Sequence, residues 1–568
     1  MKEFYARLFA RPALAAELIT ATFFISILAL ASPLFVMQVL NRYVAQGIDA
    51  TLITLTTGVL IAVAMEFIFR EARTRLAARV SAKPDEDVAG TSFDILTRSR
   101  LEALERVPPE MRREILSGIG TVEQAYSANN ISAILDVPFA LLFIFVLYFL
   151  SPILAFVVSG FIVLVFVIGL LGQAAMNQKT AELTNESGKT SSLLSTAIRE
   201  GETVRVFNAG AFLRKGWQSQ TNVVQSLRRK LNDNQGLVQS LTQTANALMS
   251  VVVIVVAGIL TVRGQLDVGA MMGTNILGAR AMQPIARFAQ LGGTLAKARQ
   301  AMGVLREFAK LPIERDRGSA ISAYSGGLEF RDVSFSHQGS ANPLFEGLNL
   351  KLDPGSVLVV TGANATGKTT FARLILGLFE PSRGFILADG LDLKQTAAEW
   401  WRRQVIYLPQ EPSLLNATLE ENIRINNPEA DLSRINAVID ATGLRKFVDE
   451  SQNGLEMQIV DNGWRLSEGT RRRIALARAL LSDGKLVLFD EPTESFDAEG
   501  IAMVHATLGR LARDGRTIIV ISHDPKIVRG RHIVLDLNQK PIPLVANVPG
   551  VVAADAPTPE GGRQAGRA

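Results

Sequence analysis

The chain has 568 residues, which is too long for one ordinary hydrophobic core and predicts two or three domains. Of these residues, 48% are apolar and only 20% are charged. It contains no cysteine, which excludes disulfides, thiolate metal sites and cysteine nucleophiles, and its four scattered histidines argue against a histidine-rich metal site. The net charge of +5 comes mostly from basic residues that flank apolar runs, so membrane topology explains it more simply than nucleic acid, and no nucleic-acid partner is expected.

Long apolar runs near the N-terminus predict membrane-spanning helices, since a helix needs roughly 20 apolar residues to cross a bilayer. Four runs meet this length clearly, at 18–40, 52–69, 131–150 and 153–171. A fifth run, 247–262, is shorter but uncharged. We predict a sixth span at 268–288 although it carries Arg280, Gln283 and Arg287, because the interior of a helix bundle accommodates such groups. The alternative for this segment is an amphipathic connector.

The loops between these runs differ in their content of basic residues. The short loops contain few, with Arg42 between spans one and two and Arg263 between spans five and six. The long segments after spans two and four each contain many arginines and lysines and have the character of helices. Basic residues concentrate on the cytoplasmic side of a membrane, so the N-terminus, both long segments and the C-terminal half are predicted to be cytoplasmic. The layout is three helical hairpins joined by two cytoplasmic extensions.

A phosphate-binding loop is predicted after a short apolar strand, Val357–Thr361. The loop has the spacing Gly-x-x-x-x-Gly-Lys-Thr and runs into an apolar helix, which is the context that such a loop requires. Backbone N–H groups and the helix N-terminus attract phosphates, Lys368 reaches the β- and γ-phosphates, and the Thr369 hydroxyl binds Mg²⁺. The residues predicted to contact ATP here are Gly362, Ala363, Asn364, Ala365, Thr366, Gly367, Lys368, Thr369 and Thr370.

Two further strands are predicted to deliver polar residues to the same place. The strand at 486–489 ends in Asp490 and Glu491, and Thr517–Ile521 is followed by Ser522, His523 and Asp524. A carboxylate at a strand end can hold Mg²⁺, and the next carboxylate can polarise an attacking water as a general base. We therefore predict that these residues converge on the γ-phosphate.

The order and spacing of these motifs over residues 328–540 resemble the ABC transporter family. The resemblance implies that Gln410 contacts Mg²⁺ and senses the membrane domain, that Glu491 is the catalytic base and that His523 is the switch histidine. The segment 466–470 occupies the place of the Leu-Ser-Gly-Gly-Gln signature of the family. In that family two cassettes pair head to tail, so Ser467 and Gly469 would contact the ATP of a second half-transporter.

Four residues depart from the family pattern. Glu468 replaces a glycine of the signature, where its charge should repel the γ-phosphate, and Thr470 replaces the glutamine. Glu494 is an added carboxylate in the loop after Glu491, and His337 stands where an aromatic ring usually stacks on adenine. This pattern resembles one half of a heterodimeric exporter with one fully active site, and drift within a homodimer explains it equally well.

Stretches of the N-terminal half resemble the type I secretion ATPases, which export haemolysins, proteases and adhesins. They lie at 29–42, 136–139, 202–205 (with Trp217 downstream) and 311–315. The resemblance implies a polypeptide substrate, a periplasmic adaptor protein, an outer-membrane channel and a place in the bacterial inner membrane. With about 16 residues before the first span, no N-terminal peptidase domain is expected. Coupling helices are expected around 109–129 and 198–217.

The predicted fold is an α-helical transmembrane domain of six spans, like the type IV ABC exporters, embedded in the lipid bilayer and fused to an α/β P-loop nucleotide-binding domain. The predicted domains are an N-terminal segment (1–16), the transmembrane domain (17–315), a linker (316–327), the nucleotide-binding domain (328–540) and a disordered tail (541–568). An exporter of lipids or small molecules has the same fold, and a subunit that binds ATP but barely hydrolyses it is a third interpretation.

Overall fold

The structure is a computed structural model, which describes residues 2–45, 47, 49–319, 323–337, 339, 342–524, 527–528 and 530–548. The chain forms two compact units. Unit 1 contains the residues up to Ser99 together with Ala103–Pro312, and unit 2 contains Arg100–Glu102 together with the residues from Ile313 onward. The division at 312/313 lies three residues before the predicted end of the transmembrane domain at 315.

Unit 1 is helical. Its helices are α1 (Lys2–Phe9), α2 (Pro12–Leu28), α3 (Ala31–Gln38), a π-helical turn (Val39–Val44), α4 (Asp49–Arg98), α5 (Leu101–Glu105), α6 (Pro109–Ala125), α7 (Ala128–Leu150), α8 (Pro152–Arg199), α9 (Gly201–Val206), α10 (Gly210–Val262), α11 (Val268–Gln290) and α12 (Gly292–Phe308). The first two residues of α5 belong to unit 2. Helices α4 and α8 continue well past an apolar run and α10 begins well before one, as the helical character of the long segments predicted.

Five helical segments of the described chain are long and apolar enough to cross a membrane. They are Pro12–Val44, Asp49–Arg98, Ala128–Leu150, Pro152–Arg199 and Gly210–Val262. The sixth predicted span forms helix α11, but its polar residues keep it outside this set. Six spans therefore stay a prediction.

Helix α11 packs closely on the rest of unit 1 through one apolar face. Leu277, Ala281 and Ile285 of this face are buried in a cluster with residues of α7, α8 and α10. At its N-terminal end the helix approaches the segment around Met37 so closely that a Cβ on Gly269 would lie 2.4 Å from the Met37 carbonyl oxygen. Glycine is therefore required at this contact.

The first predicted coupling segment, at 109–129, stays a prediction. It contains α6 (Pro109–Ala125), which belongs to unit 1, whereas Arg100–Glu102 before it belong to unit 2. There Arg100 pairs with Glu380 at 2.8 Å, and Leu101 packs on the core of unit 2. The second coupling segment, at 198–217, stays a prediction.

Unit 2 contains two sheets. The strands are β1 (Leu328–Phe335), β2 (Phe345–Leu352), β3 (Val357–Thr361), β4 (Arg383–Ala388), β5 (Leu391–Asp392), β6 (Val405–Leu408), β7 (Leu486–Asp490), β8 (Thr517–Ile521), β9 (His532–Asp536) and β10 (Leu544–Val548). The smaller sheet is antiparallel with the order β2-β1-β4-β5. The larger has the order β10-β9-β3-β8-β7-β6 and is parallel except for β10.

The helices of unit 2 surround these sheets. They are α13 (Lys368–Ile375), α14 (Ala398–Arg403), α15 (Leu419–Arg424), α16 (Leu432–Ala441), α17 (Arg445–Glu450), α18 (Glu468–Leu480) and α19 (Ala498–Arg513). Strands β3, β7 and β8 are almost fully buried, as expected for parallel strands covered on both faces. One core lies between the two sheets, where Phe330 of β1 stacks on Phe371 of α13 at 5.2 Å.

The predicted start of the tail at 541 was wrong. Strand β10 (Leu544–Val548) pairs antiparallel with β9 at the edge of the larger sheet, so these five residues of the predicted tail form a strand. Residues 549–568 of the predicted tail lie outside the described residues. The predicted linker at 316–327 is partly packed, since Ser319 bridges to Thr396 and Tyr324 is buried.

Candidate nucleotide-binding site

The register of the larger sheet brings three strand ends to one edge. Val360 of β3 and Asp490 of β7 both lie opposite Ile521 of β8. The chain leaves these three strands into the Gly-rich loop, into Glu491 and into Ser522 and His523, respectively. The convergence expected from the sequence is therefore present in the sheet.

The Gly-rich loop turns through left-handed backbone conformations before α13 begins. Ala365 has φ of 63° and Gly367, immediately before α13, has φ of 104°. A side chain at Gly367 would also collide with Leu344, whose Cδ2 lies 2.5 Å from the position of the missing Cβ. The first N–H groups of α13 have no partner within the helix, so the loop and helix together offer donors to an anion.

Lys368 is the first residue of α13 and its ammonium group lies among the other strand-end residues. Its Nζ donates to the Gly362 carbonyl at 2.8 Å and lies 2.6 Å from His523 Nε2. It lies 3.6 Å from Glu491 Oε1, and both side chains are about nine-tenths buried. The ammonium group is therefore held between the loop and the two strand ends that carry Glu491 and His523.

Asp490 is buried without a partner. Its side chain is 1% exposed, and neither carboxylate oxygen has a hydrogen-bond partner among the described residues. Burial, and then the charge of Glu491, raise the pKa of Asp490 to about 6. An unpartnered carboxylate at this edge fits Mg²⁺, which prefers hard oxygen ligands, and Thr369 follows Lys368 on α13 to supply a hydroxyl.

Glu491 has a strained backbone that directs its carboxylate to His523. Its φ is 46°, a conformation that is unfavourable for a residue with a side chain, and its N–H donates to the Ile521 carbonyl at 2.8 Å. The carboxylate accepts from the His523 backbone N–H at 3.3 Å, and Oε1 lies 3.2 Å from His523 Nε2. A buried carboxylate beside a histidine and a lysine has the arrangement needed to accept a proton from water.

Comparison with known families accounts for both units. The family profile described as "ABC transporter transmembrane region" matches residues 16–279, and the one described as "ABC transporter" matches residues 345–494. The chain belongs to the ABC transporter family. It is an ATP-hydrolysing exporter in which a helical transmembrane domain (unit 1) is fused to an ABC nucleotide-binding domain (unit 2).

The transporter is similar to curated relatives along almost its whole length. It is 25% identical over 528 residues to the toxin RTX-I translocation ATP-binding protein of Actinobacillus pleuropneumoniae, covering 92% of this chain and 74% of the relative. It is 24% identical over 525 residues to the leukotoxin export ATP-binding protein of Aggregatibacter actinomycetemcomitans, with the same coverage. It is 26% identical over 516 residues to the cyclolysin secretion/processing ATP-binding protein of Bordetella pertussis, covering 90% and 72%.

A solved structure of a bacterial Atm1-family ABC exporter with ATP bound has the same fold. The TM-score is 0.81 at 19% sequence identity, and the match covers 93% of this chain and 94% of the other. At this identity the likeness shows the fold alone. It agrees with the α-helical transmembrane domain and P-loop domain predicted from the sequence.

The signature segment of the exporter begins helix α18. Ser467 is the N-cap and accepts from the Thr470 backbone N–H at 3.1 Å, which is the role that serine favours at a helix start. Gly469 lies in the first turn, and a Cβ there would only make ordinary contact with the Ser495 carbonyl at 3.7 Å. Both predicted signature residues are therefore positioned by the helix start.

The two unexpected carboxylates share one buried arginine. Arg472, which is 2% exposed, lies 3.2 Å from Glu468 and 3.2 Å from Glu494. Glu468 also accepts from Ser495 Oγ at 2.7 Å, and Glu494 accepts from Gln410 Nε2 at 3.3 Å. The pKa of Glu468 is lowered, first by the Ser495 hydrogen bond; desolvation opposes this, and the charge of Arg472 lowers the pKa further.

Sequence reasoning missed Arg472. The available signal was its position four residues after Glu468 on a helix, the spacing at which opposite charges pair. It also missed Asn538 and Lys540, which contact the Gly-rich loop. Asn538 Oδ1 accepts from the Ala363 N–H at 2.8 Å, and Lys540 Nζ donates to the Thr366 carbonyl at 2.9 Å.

The remaining predicted residues lie away from this cluster or make no contact that decides their role. His337 lies edge-on to Phe335, with ring centroids 5.0 Å apart, and edge-on to Phe379 at 6.2 Å. Asn364 and Thr369 are exposed, and Thr370 is half-buried. Adenine stacking by His337 stays a prediction.

Proposed function

We propose that this exporter moves polypeptides across the bacterial inner membrane as the permease and ATPase of a type I secretion system. The observation that carries the proposal is the similarity over about nine-tenths of the chain, through both units, to proteins named for the translocation, export or secretion of toxins. A likeness confined to unit 2 would support ATP hydrolysis alone. Its extension through the helices of unit 1 supports a related substrate class.

The strand-end residues are assigned roles in ATP hydrolysis. Lys368 binds the β- and γ-phosphates, and the backbone N–H groups of the loop bind the phosphates along its length. Asp490, Thr369 and Gln410 would hold Mg²⁺, which offsets phosphate charge when bound. Glu491 accepts a proton from the attacking water and His523 orients the γ-phosphate.

The exporter is proposed to work as a pair of half-transporters with six spans each. Ser467 and Gly469 of one subunit would contact the ATP that the other subunit binds. Charge bias in the loops supports a cytoplasmic position for unit 2 and for the N-terminus. The toxin-exporting relatives support a periplasmic adaptor protein and an outer-membrane channel as further partners.

The test is secretion by cells that express the chain together with a candidate adaptor, a candidate outer-membrane channel and a candidate polypeptide substrate chosen from neighbouring genes. We expect the polypeptide in the medium with wild-type protein and none with Lys368→Ala or Glu491→Gln. Glu429→Gln is the matched control, because Glu429 is an exposed carboxylate of unit 2. Secretion that persists with Glu491→Gln would refute the proposal. Transport of lipids or small molecules without any polypeptide, in vesicles that contain the purified protein, would replace it with the alternative.

A further inference from the structure

Helix α11 carries a polar stripe. Arg280, Gln283, Arg287 and Gln290 are separated by three, four and three residues, which places them on one face of a helix with 3.6 residues per turn. All four line a cavity of about 930 Å³ within unit 1. The apolar face of α11 is buried in the core, so the stripe is directed into the cavity and away from that packing.

The same stripe borders a second space. Arg280, Gln283 and Gln290 also line a cavity of about 400 Å³, together with polar residues of α10 that include Gln243 and Asn246. Glutamine and asparagine amides donate and accept hydrogen bonds. The stripe therefore borders polar side chains in both cavities, whereas the residues packed against the other face of α11 are apolar.

The large cavity has an excess of positive charge. Its wall contains Arg70, Arg73, Arg280 and Arg287 but only two acidic residues, Glu66 and Asp136. Arg70 pairs with Glu66 and Arg73 pairs with Asp136. Neither Arg280 nor Arg287 has an acidic partner within 4.0 Å among the residues that the structure describes.

Two unpaired guanidinium groups need an explanation in this place. Charged groups within the membrane-embedded part of a protein are costly and mark paths for substrates or ions when they face a cavity. Where only packing is needed, an apolar residue would serve in place of an arginine. Arg280 and Arg287 therefore point to a ligand that carries negative charge.

The cavity extends from the predicted cytoplasmic ends of the spans into the apolar runs. Arg70 directly follows the run that ends at 69 and Asn130 directly precedes the run that begins at 131, whereas Ser32 and Phe143 lie within predicted spans. The stripe occupies the second half of α11, and the chain continues from it into α12. A substrate that arrives from the cytoplasm would meet this end of the helices first.

We infer that this cavity binds the carboxylate groups of an acidic, extended segment of the transported polypeptide. The inference rests on the proposed function and names the chemistry of its substrate. Arg280 and Arg287 are seven residues apart, or roughly 10 Å along the helix axis, which an extended peptide covers in about three residues. Guanidinium groups bind carboxylates with two parallel hydrogen bonds, and Gln283 between them supplies an amide donor.

The test measures binding of labelled peptides to the full-length protein in nanodiscs of phosphatidylcholine. The probes are three 12-residue peptides of equal length in which every third residue is glutamate, glutamine or lysine. We expect the glutamate peptide to bind at least tenfold more tightly than the glutamine peptide, and the lysine peptide not to bind. The affinity of the glutamate peptide should fall as salt is added, because its contacts are ionic.

Paired variants identify the site. Arg280→Gln with Arg287→Gln should weaken binding of the glutamate peptide at least tenfold, and Arg280→Lys with Arg287→Lys should restore part of it. Arg263→Gln is the control, since Arg263 is an exposed arginine of unit 1 outside the cavity and should leave binding unchanged. Equal binding of the glutamate and glutamine peptides overturns the inference even where a variant fails to fold. Unchanged binding by a folded double variant also overturns it.

Competition distinguishes other anions. Displacement of the glutamate peptide by phosphatidylglycerol would assign the site to a lipid headgroup, and displacement by glutarate at equal carboxylate concentration would assign it to a small anion; either result overturns the inference. Secreted polypeptide without binding of the glutamate peptide would refute the cavity assignment alone. Binding of the peptide without secretion would refute the proposed function alone.

Discussion

The guanidinium group of Arg472 lies 3.2 Å from the carboxylate of Glu468, four residues before it on α18. Its Nη1 also donates to the Glu491 carbonyl at 3.0 Å, so the same buried side chain connects the signature segment to the strand end that carries the proposed base. Glu468 was expected to repel the γ-phosphate. The pairing reduces this repulsion, because the carboxylate already has a cation and the Ser495 hydroxyl as partners.

Arg472→Gln should therefore raise the KM for ATP. The substitution leaves Glu468 and Glu494 without their shared cation. Because both carboxylates are half exposed, we expect the loss of each ion pair to raise the KM only about two- to fivefold. The measurement is steady-state ATPase activity of the detergent-solubilised protein at low and high salt. Adding Glu468→Gly to Arg472→Gln should lower the KM again. An unchanged KM in Arg472→Gln would show that Glu468 does not affect bound nucleotide.

Glu491→Gln should abolish hydrolysis while leaving ATP binding in place. Removal of a general base costs on the order of 10²–10⁴ in rate, whereas the amide keeps the size of the side chain and its hydrogen bond from His523. Turnover and equilibrium binding of a fluorescent ATP analogue separate the two effects. Glu429→Gln is the control and should behave as wild type. Residual turnover within tenfold of wild type would assign the base to another residue.

Gly269→Ala should destabilise unit 1. The added methyl group would lie 2.4 Å from the Met37 carbonyl oxygen, and a backbone atom cannot yield as a side chain can. Overpacking of this kind costs about 1–3 kcal/mol. Gly258→Ala is the matched control, because Gly258 also lies in a helix of unit 1 but has open space around its Cα. Thermal unfolding in detergent should show a lower midpoint for Gly269→Ala alone; equal midpoints would contradict the close packing of α11.

The nucleotide site was predictable because its geometry follows from local rules. Each candidate residue lies at the end of a parallel strand or in the segment that follows it. Parallel strands end at one edge, so Lys368, Asp490 and His523 could be placed together without knowing the rest of the fold. The apolar runs were predictable for the same reason, because crossing a bilayer is a requirement on a single helix.

The contacts that the sequence did not reveal join distant segments. Arg472 pairs with Glu494 across 22 residues, and Lys540 reaches the Gly-rich loop across 174 residues. Such pairs depend on how α18 and the last strands pack, which no local pattern states. Strand β10 was missed for a related reason, since an edge strand is stabilised by its neighbour β9 and its own composition resembles that of a tail. The status of α11 was left open because its polar stripe lowers its hydropathy.

Asp490 should make the stability of the nucleotide-free protein depend on pH. Its pKa is raised from 3.8 to about 6, so the native state favours the protonated carboxyl. This contribution is fully present below about pH 4 and is lost as the pH rises through 6, where ionisation costs up to about 3 kcal/mol. Asp490→Asn, which mimics the protonated form, should therefore raise the unfolding midpoint of the full chain at pH 8 and change it little at pH 4.

The same ionisation should control the effect of Mg²⁺. Protons and Mg²⁺ compete for the carboxylate, so the apparent affinity for Mg²⁺ in the presence of ATP should fall by up to tenfold for each pH unit below 6. This affinity is read from the additional stabilisation that Mg²⁺ with ATP gives over ATP alone. Thermal unfolding in a Mg²⁺ titration at pH 5, 6 and 8 measures this effect. In Asp490→Asn the dependence on pH should disappear together with most of the Mg²⁺ effect. If wild type and Asp490→Asn respond to Mg²⁺ alike at pH 8, then Asp490 does not hold the metal, and its burial without a partner must have another cause.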